Sequence, residues 1–176
     1  MNLSAESKRV LRTWTRDLVL SLVISFVVIT CLYQPVKVEG TSMMPWLADK
    51  DRLFINKIAY HVGDIHRDDV VVFHYPGDPS KSYIKRVIAE PGDTISIDHG
   101  TIYLNGHRLK EDYLPRQFRD SRSMDEIKIP PDEFFVMGDH RSISSDSRDF
   151  GPVPRHDIYG KAIYVYWPFQ DAGWIR

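Results

Sequence analysis

The feature that most restricts this chain is an uncharged run near its start. Leu18 to Val36, LVLSLVISFVVITCLYQPV, contains no Asp, Glu, Lys or Arg. Its length is that of a helix crossing a hydrocarbon core about 30 Å thick. Lys8, Arg9, Arg12 and Arg16 precede or border it, opposed by Glu6 and Asp17. The positive-inside rule then predicts residues 1–16 in the cytoplasm, a transmembrane helix over 17–35, and residues 36–176 on the outer face. Tyr33 falls at the outer interface, and Pro35 ends the helix. A cleavable signal peptide is the competing reading, but the apolar core is long for one and no small-x-small site follows it. Cys31 is the one cysteine. Thr30 is a poor residue ahead of a lipid-acceptor cysteine, so Cys31 reads as a membrane-facing residue without chemistry.

Beyond Val36 helical periodicity gives way to short β-rich runs: RLFINKIAY, DVVVFHY, YIKRVIAE, TISID, TIYLNG, EFFVMGD and KAIYVYW. Turn signals separate them at Pro76-Gly77-Asp78, Pro91-Gly92-Asp93 and Asn105-Gly106. This spacing predicts an antiparallel β domain. TISIDHGTIYLNGHRL reads as a hairpin turning at His99-Gly100. Residues 110–131, polar and flanked by proline, read as an exposed excursion between strands. A net charge of -1 provides no basic field for nucleic acid, and one cysteine excludes an internal disulfide and a multi-cysteine metal site.

Three places carry candidate chemistry. The first is Ser42 in Gly40-Thr41-Ser42-Met43-Met44-Pro45. Pro45 restricts the residue before it, and Gly40 permits an unusual backbone, so the turn can hold a serine at a fixed angle. The second is Lys85 in YIKRVIAEPGD. On a strand, Tyr83, Lys85 and Val87 share one face and Ile84, Arg86 and Ile88 the other, so a long cation sits among apolar residues whichever face is buried. Such a lysine either snorkels to water or loses its proton. At an ordinary pKa only about 0.04% of it is neutral at pH 7, and burial can raise that share enough to make a general base. The third is MGDHRSISSDSRDFGPVP, residues 137–154, either a solvated loop or one braced by Asp146 and Arg148.

Ser82-Tyr83-Ile84-Lys85 also fits S-x-x-K, but that chemistry needs one helical turn between serine and lysine, and these residues favour a strand. The histidines His61, His66, His74, His99 and His107 show no ligand spacing, so neither metal nor cofactor is expected.

In this order, after one N-terminal anchor, the segments GTSMMPWL (40–47), RDDVVVFHYP (67–76), YIKRVIAEPGD (83–93) and MGDHRSISSDSRDFGPVP (137–154) resemble bacterial type I signal peptidase. IYLNG (102–106) and GKAIYVYWP (160–168) extend the resemblance over nearly the whole chain. It implies a mostly antiparallel β domain with its active site near the outer membrane surface. It implies Ser42 as acylating nucleophile and Lys85 as general base. Ser144 is then expected to hydrogen-bond the Lys85 amine, and Asp146 and Arg148 to hold the last loop. The resemblance makes Arg86, Gly40, Met43 and Pro45 supporting residues. It also implies a preprotein substrate whose signal segment lies in the bilayer, extended beside Ser82, Tyr83 and Ile84 and cut after small residues at -1 and -3.

The chain departs from the pattern at Gly40, where some members have a serine that completes the oxyanion hole; a backbone group or Thr41 is left to supply that donor. His140 and Ile143 stand where asparagines are frequent. With no second transmembrane segment or large insertion, the chain resembles the compact form. MMPWL (43–47) is a candidate to dip into the bilayer, with core packing as the alternative. Competing functions are a specialised maturation peptidase of the same family and a membrane-tethered β module without catalysis.

Overall fold

The computed structural model describes residues 5–175. The readings that rest on the Cys31, Glu6 and Lys8 side chains lie outside the described residues. The chain divides into two compact units, one ending at Gln34 and the other beginning at Pro35. In the first, α1 runs Ala5–Leu32. It starts earlier than residue 17 and ends before Pro35, because β1 (Tyr33–Lys37) is already extended and proline lacks the amide a helix needs. Arg9–Thr30 is long and apolar enough to cross a membrane.

The second unit is mainly antiparallel β. Its large sheet is built from β1, β2 (Arg52–Asn56), β3 (Val70–Tyr75), β4 (Asp78–Ala89), β9 (Glu133–Met137), β10 (Val153–Pro154), β11 (Ile158–Trp167) and β12 (Gly173–Trp174). The order is β1-β2-β11-β3-β4-β9-β10, with β12 also on β11. The smaller sheet, in order β7-β6-β5-β8, holds β5 (Thr94–Asp98), β6 (Thr101–Leu104), β7 (His107–Arg108) and β8 (Met124–Lys128).

Local chemistry explains the turns. Asp98 pairs with Thr101 across His99 and Gly100, whose φ angles of 44° and 78° are those of a two-residue primed turn. Asn105-Gly106 repeats the device between β6 and β7, with φ 51° and 78°. The large sheet is covered on both faces, which is why β3 reads as continuous VVVF rather than alternating. Val70 and Val72 join Leu53, Ile55, Met43 and Leu47 on one side, while Val71 and Phe73 join Val87 and Val136 on the other. The smaller sheet presents Ile95, Ile97, Ile102 and Leu104 to Ile88, Phe135 and Met137.

Two regions differ from the sequence reading. RLFINKIAY leaves the sheet at Asn56, whose Oδ1 accepts from the amides of Ile58 and Ala59 and starts the short helix α2 (Ala59–Val62). Residues 110–131 are no simple excursion. They contain β8, pair it with β5, and bury Glu111, Leu114 and Ile129. Polar composition hid this, because the buried acid is matched by an arginine thirty positions along the chain, Arg141.

Candidate active site

The Ser42 turn is fixed by its neighbours on both sides. Gly40 has φ +95°, and its amide donates to Asp49 Oδ1 at 2.9 Å. Met43 and Leu47 are buried in the core, which pins the turn from below. Pro45 is exposed and Trp46 is 46% exposed, its indole Nε1 donating to the Tyr113 carbonyl at 2.7 Å. MMPWL thus divides: two residues pack inward and Trp46 stays partly outside.

β4 delivers Lys85 to that turn. The lysine is 4% exposed, and its Nζ lies 2.7 Å from Ser42 Oγ. The Tyr83 ring stands 5.3 Å from the same nitrogen. Burial pulls the Lys85 pKa down to about 8, against the attraction of Asp146 and Asp139, which raise it. Roughly a tenth of the amines are then neutral at pH 7. A neutral amine in hydrogen-bond reach of a hydroxyl can take its proton, which turns a weak alcohol into an attacking alkoxide.

Arg86, the next residue, takes the other side of the strand. It is 1% exposed and clasps Asp139 with two bonds, Nε–Oδ1 at 2.9 Å and Nη2–Oδ2 at 2.7 Å, while Nη1 donates to the Asp68 carbonyl. This bidentate pair ties β4 to the loop after β9.

That loop closes the site. Gly138 passes directly behind Ser42, and the His140 amide donates to the Ser42 carbonyl at 2.9 Å. Asp146 caps the short helix α3 (Ser147–Phe150), accepts from the Gly138 amide at 3.0 Å, and pairs with Arg148 through Nε and Nη2, both at 2.8 Å. Desolvation opposes ionisation of the buried Asp146, but Arg148 and the Gly138 amide outweigh it and hold the carboxyl below its ordinary pKa. Arg148 also reaches Asp120 and the Arg141 carbonyl.

Ser144 departs from expectation. Its Oγ is buried without a hydrogen-bond partner among the described residues, and the Lys85 amine bonds Ser42 instead. The hydroxyl leans toward Gly138, 2.2 Å from where a Cβ there would be. It lies near enough to Asp146 to favour the carboxylate without meeting hydrogen-bond geometry.

A cavity of about 390 Å³ opens over Ser42 and Lys85. One wall is the extended stretch Lys37–Gly40, the other Ser82–Ile84, with Ile143 and Ser145 at the rim. β4 is paired to β3 along Ser82–Lys85, whereas its pairing with β9 begins only at Arg86. Ser82, Tyr83 and Ile84 therefore keep one strand edge open to the cavity. Ser82 Oγ accepts from Tyr159 at 2.9 Å.

Residues 11–167 match the family model described as signal peptidase, peptidase S26. The chain belongs to this family. It is 38% identical over 167 residues to signal peptidase I P of Bacillus subtilis subsp. natto, covering 89% of each chain. Signal peptidase IB of Staphylococcus aureus is 32% identical over 180 residues, covering 93% of each. The crystal structure of a signal peptidase I from Enterococcus faecalis V583 superposes with a TM-score of 0.50 at 28% identity, over 57% of this chain and 97% of that one. This family member is a serine peptidase, a hydrolase, with the mainly antiparallel β fold that the motifs implied.

Sequence reasoning missed Gly138, Asp139, Glu111 and Tyr113 as parts of the site. The aspartate was detectable in principle, because Arg86 on an apolar strand demands a buried acid. Glu111 and Tyr113 gave no local signal.

Proposed function

We propose that this chain removes N-terminal signal peptides from preproteins, cutting after small residues at -1 and -3. One observation carries the mechanism: Lys85 Nζ, on a side chain buried in the fold, lies 2.7 Å from Ser42 Oγ. The neutral amine takes the Ser42 proton as Oγ attacks the scissile carbonyl. The tetrahedral intermediate expels the new amino terminus, with the lysine returning its proton. Water then attacks the acyl-enzyme and frees the signal peptide. Among the described residues the Ser42 amide is bound to no acceptor, so it is free to donate to the oxyanion. The Gly40 amide is occupied by Asp49, which leaves Thr41 to contribute the second donor.

The substrate enters as an extended strand between Lys37–Gly40 and Ser82–Ile84, its backbone bonded to the open edge of β4. The helix α1 anchors the enzyme in the plasma membrane with its N-terminus in the cytoplasm. Side chains from Arg9 to Thr30 are exposed all round, and such an apolar cylinder is suited to lipid rather than water.

The test is cleavage, in detergent, of a preprotein bearing an Ala-x-Ala site. Ser42→Ala and Lys85→Ala should each abolish cutting, while Ser80→Ala, at an exposed strand position, should cut as wild type. Wild-type cleavage by Ser42→Ala would remove the nucleophile assignment.

A further inference from the structure

Three separated segments build the site: the Ser42 turn, the Lys85 strand and the loop after β9. Each is bonded to one half-buried residue outside all three, Tyr113. Its carbonyl accepts from Trp46 Nε1 at 2.7 Å, which ties it to the Ser42 turn. Its ring lies under the Arg86 guanidinium, 4.4 Å from Cζ, which ties it to the residue beside Lys85. Its hydroxyl accepts from Arg141 Nη2 at 3.2 Å and donates to Glu111 Oε1 at 3.1 Å, which ties it to the loop that holds Ser42 from behind.

The surroundings make these ties firm. Arg141 and Glu111 form a buried ion pair, and Arg141 Nε also donates to the Gly138 carbonyl at 3.0 Å. The Arg141 amide donates to the Phe118 carbonyl, so the segment carrying Tyr113 is bonded to this loop a second time. Burial, then the Glu111 carboxylate, raise the Tyr113 phenol above its ordinary pKa, so it remains a neutral donor at any working pH.

We infer that Tyr113 is a positioning residue that sets the distance between Lys85 Nζ and Ser42 Oγ by joining the three segments that carry and back the pair. The inference rests on the Ser42–Lys85 reading. Tyr113 touches the nucleophile turn through its backbone, Arg86 through its ring and Arg141 through its side-chain oxygen. Without the ring and hydroxyl, Arg86 and Arg141 lose a common neighbour, the strand and loop are held less closely, and water reaches the amine. Lys85 is faced by Asp146, Asp139 and Arg148 from the loop and by Tyr83 on its own strand. A Tyr113 variant replaces none of these groups; a loosened loop would weaken the raising pull of Asp146 and Asp139, whereas wetting raises the pKa, so only a shift to higher pH reports wetting.

The experiment measures kcat, KM and the pH-rate profile of the full chain in detergent for wild type, Tyr113→Phe, Tyr113→Leu and Trp46→Phe, with Ser42→Ala and Lys85→Ala alongside. Tyr113→Leu should lower kcat about tenfold or more at nearly constant KM, as expected for misplacement of a reacting pair. Its acid limb should move to higher pH, since a wetter amine holds its proton more tightly. Tyr113→Phe keeps ring and carbonyl and should recover most of kcat. Trp46→Phe cuts only the bond to the Tyr113 carbonyl and should lower kcat without moving the melting temperature greatly. A Tyr113→Leu enzyme with wild-type kcat and acid limb overturns the inference, as does one whose loss follows its melting temperature alone. Should Tyr113→Leu fail to fold, Trp46→Phe decides: wild-type kcat there overturns it. Activity surviving in Ser42→Ala or Lys85→Ala would instead overturn the dyad on which the inference rests.

Discussion

Gly138 and Ser42 meet backbone to backbone: a Cβ on Gly138 would stand 2.5 Å from the Ser42 carbonyl oxygen. That contact lets the loop after β9 come close enough for the His140 amide to bond the same carbonyl. Position 138 is thus part of what aims the serine, although its residue has no side chain.

Gly138→Ala should therefore fold but cut poorly. The methyl meets fixed backbone on one side and the Ser144 side chain on the other, an overpacking that costs about 1–3 kcal/mol. A displacement of Ser42 near 1 Å lowers the cleavage rate by roughly 10²-fold. Adding Ser144→Ala removes the hydroxyl clash at 2.2 Å but leaves those with the Ser42 carbonyl at 2.5 Å and the residue-144 Cβ at 2.6 Å. The double variant should recover melting temperature more than rate, and full recovery of rate would show that the backbone contact is unimportant.

The rate should depend on pH through Lys85. With its pKa at about 8, the neutral fraction grows as pH rises through that value, so kcat/KM should climb along an acid limb centred there. A limb centred above pH 10 would mean an ordinary, hydrated lysine.

The same burial makes Lys85 costly to the fold. Its folded pKa is depressed below 10.5, so the unfolded chain binds the extra proton between about pH 8 and 10.5. Stability therefore rises with pH across that window, and below it the penalty is complete, about 3 kcal/mol at most. Lys85→Met should be inactive yet melt higher than wild type at pH 7, the gap closing above pH 10.5. Equal melting curves at pH 7 and pH 11 would contradict this.

Asp146 acts in two ways that one variant separates. In Asp146→Asn the Arg148 guanidinium loses its buried partner, though Asp120 remains, and urea unfolding should show a loss of about 3 kcal/mol. Asp146 also raises the Lys85 pKa, so its neutralisation should move the acid limb of the rate toward lower pH. Because the Asp146 pKa is lowered in the fold, its own contribution is present above the unfolded carboxylate pKa and fades as pH falls through the folded one. An unmoved limb would show that the carboxylate does not act on the amine.

The sequence alone determined the parts whose physics is local. An uncharged run long enough to cross lipid supplies the C-terminal half of α1, and residue pairs ending in glycine, with positive φ, form the turns at His99-Gly100 and Asn105-Gly106. A lysine and an arginine adjacent on an apolar strand must face opposite ways, which was legible before any coordinates. What lay beyond reach was what each side chain would meet. Asp139, Glu111, Arg141 and Tyr113 are polar residues in turn-rich stretches, and nothing in their neighbours distinguishes them from a solvated loop. Their burial follows from pairing over long sequence separations, where the desolvation of each charge is offset only by another delivered by the fold. Ser144 shows the converse. Its position in a motif implied a bond to Lys85, but in the fold its hydroxyl lies against Gly138, without a hydrogen-bond partner among the described residues. The motifs pointed to Ser42 and Lys85 as the proposed pair; the tertiary packing alone decided their 2.7 Å separation and the burial that lowers the amine's pKa.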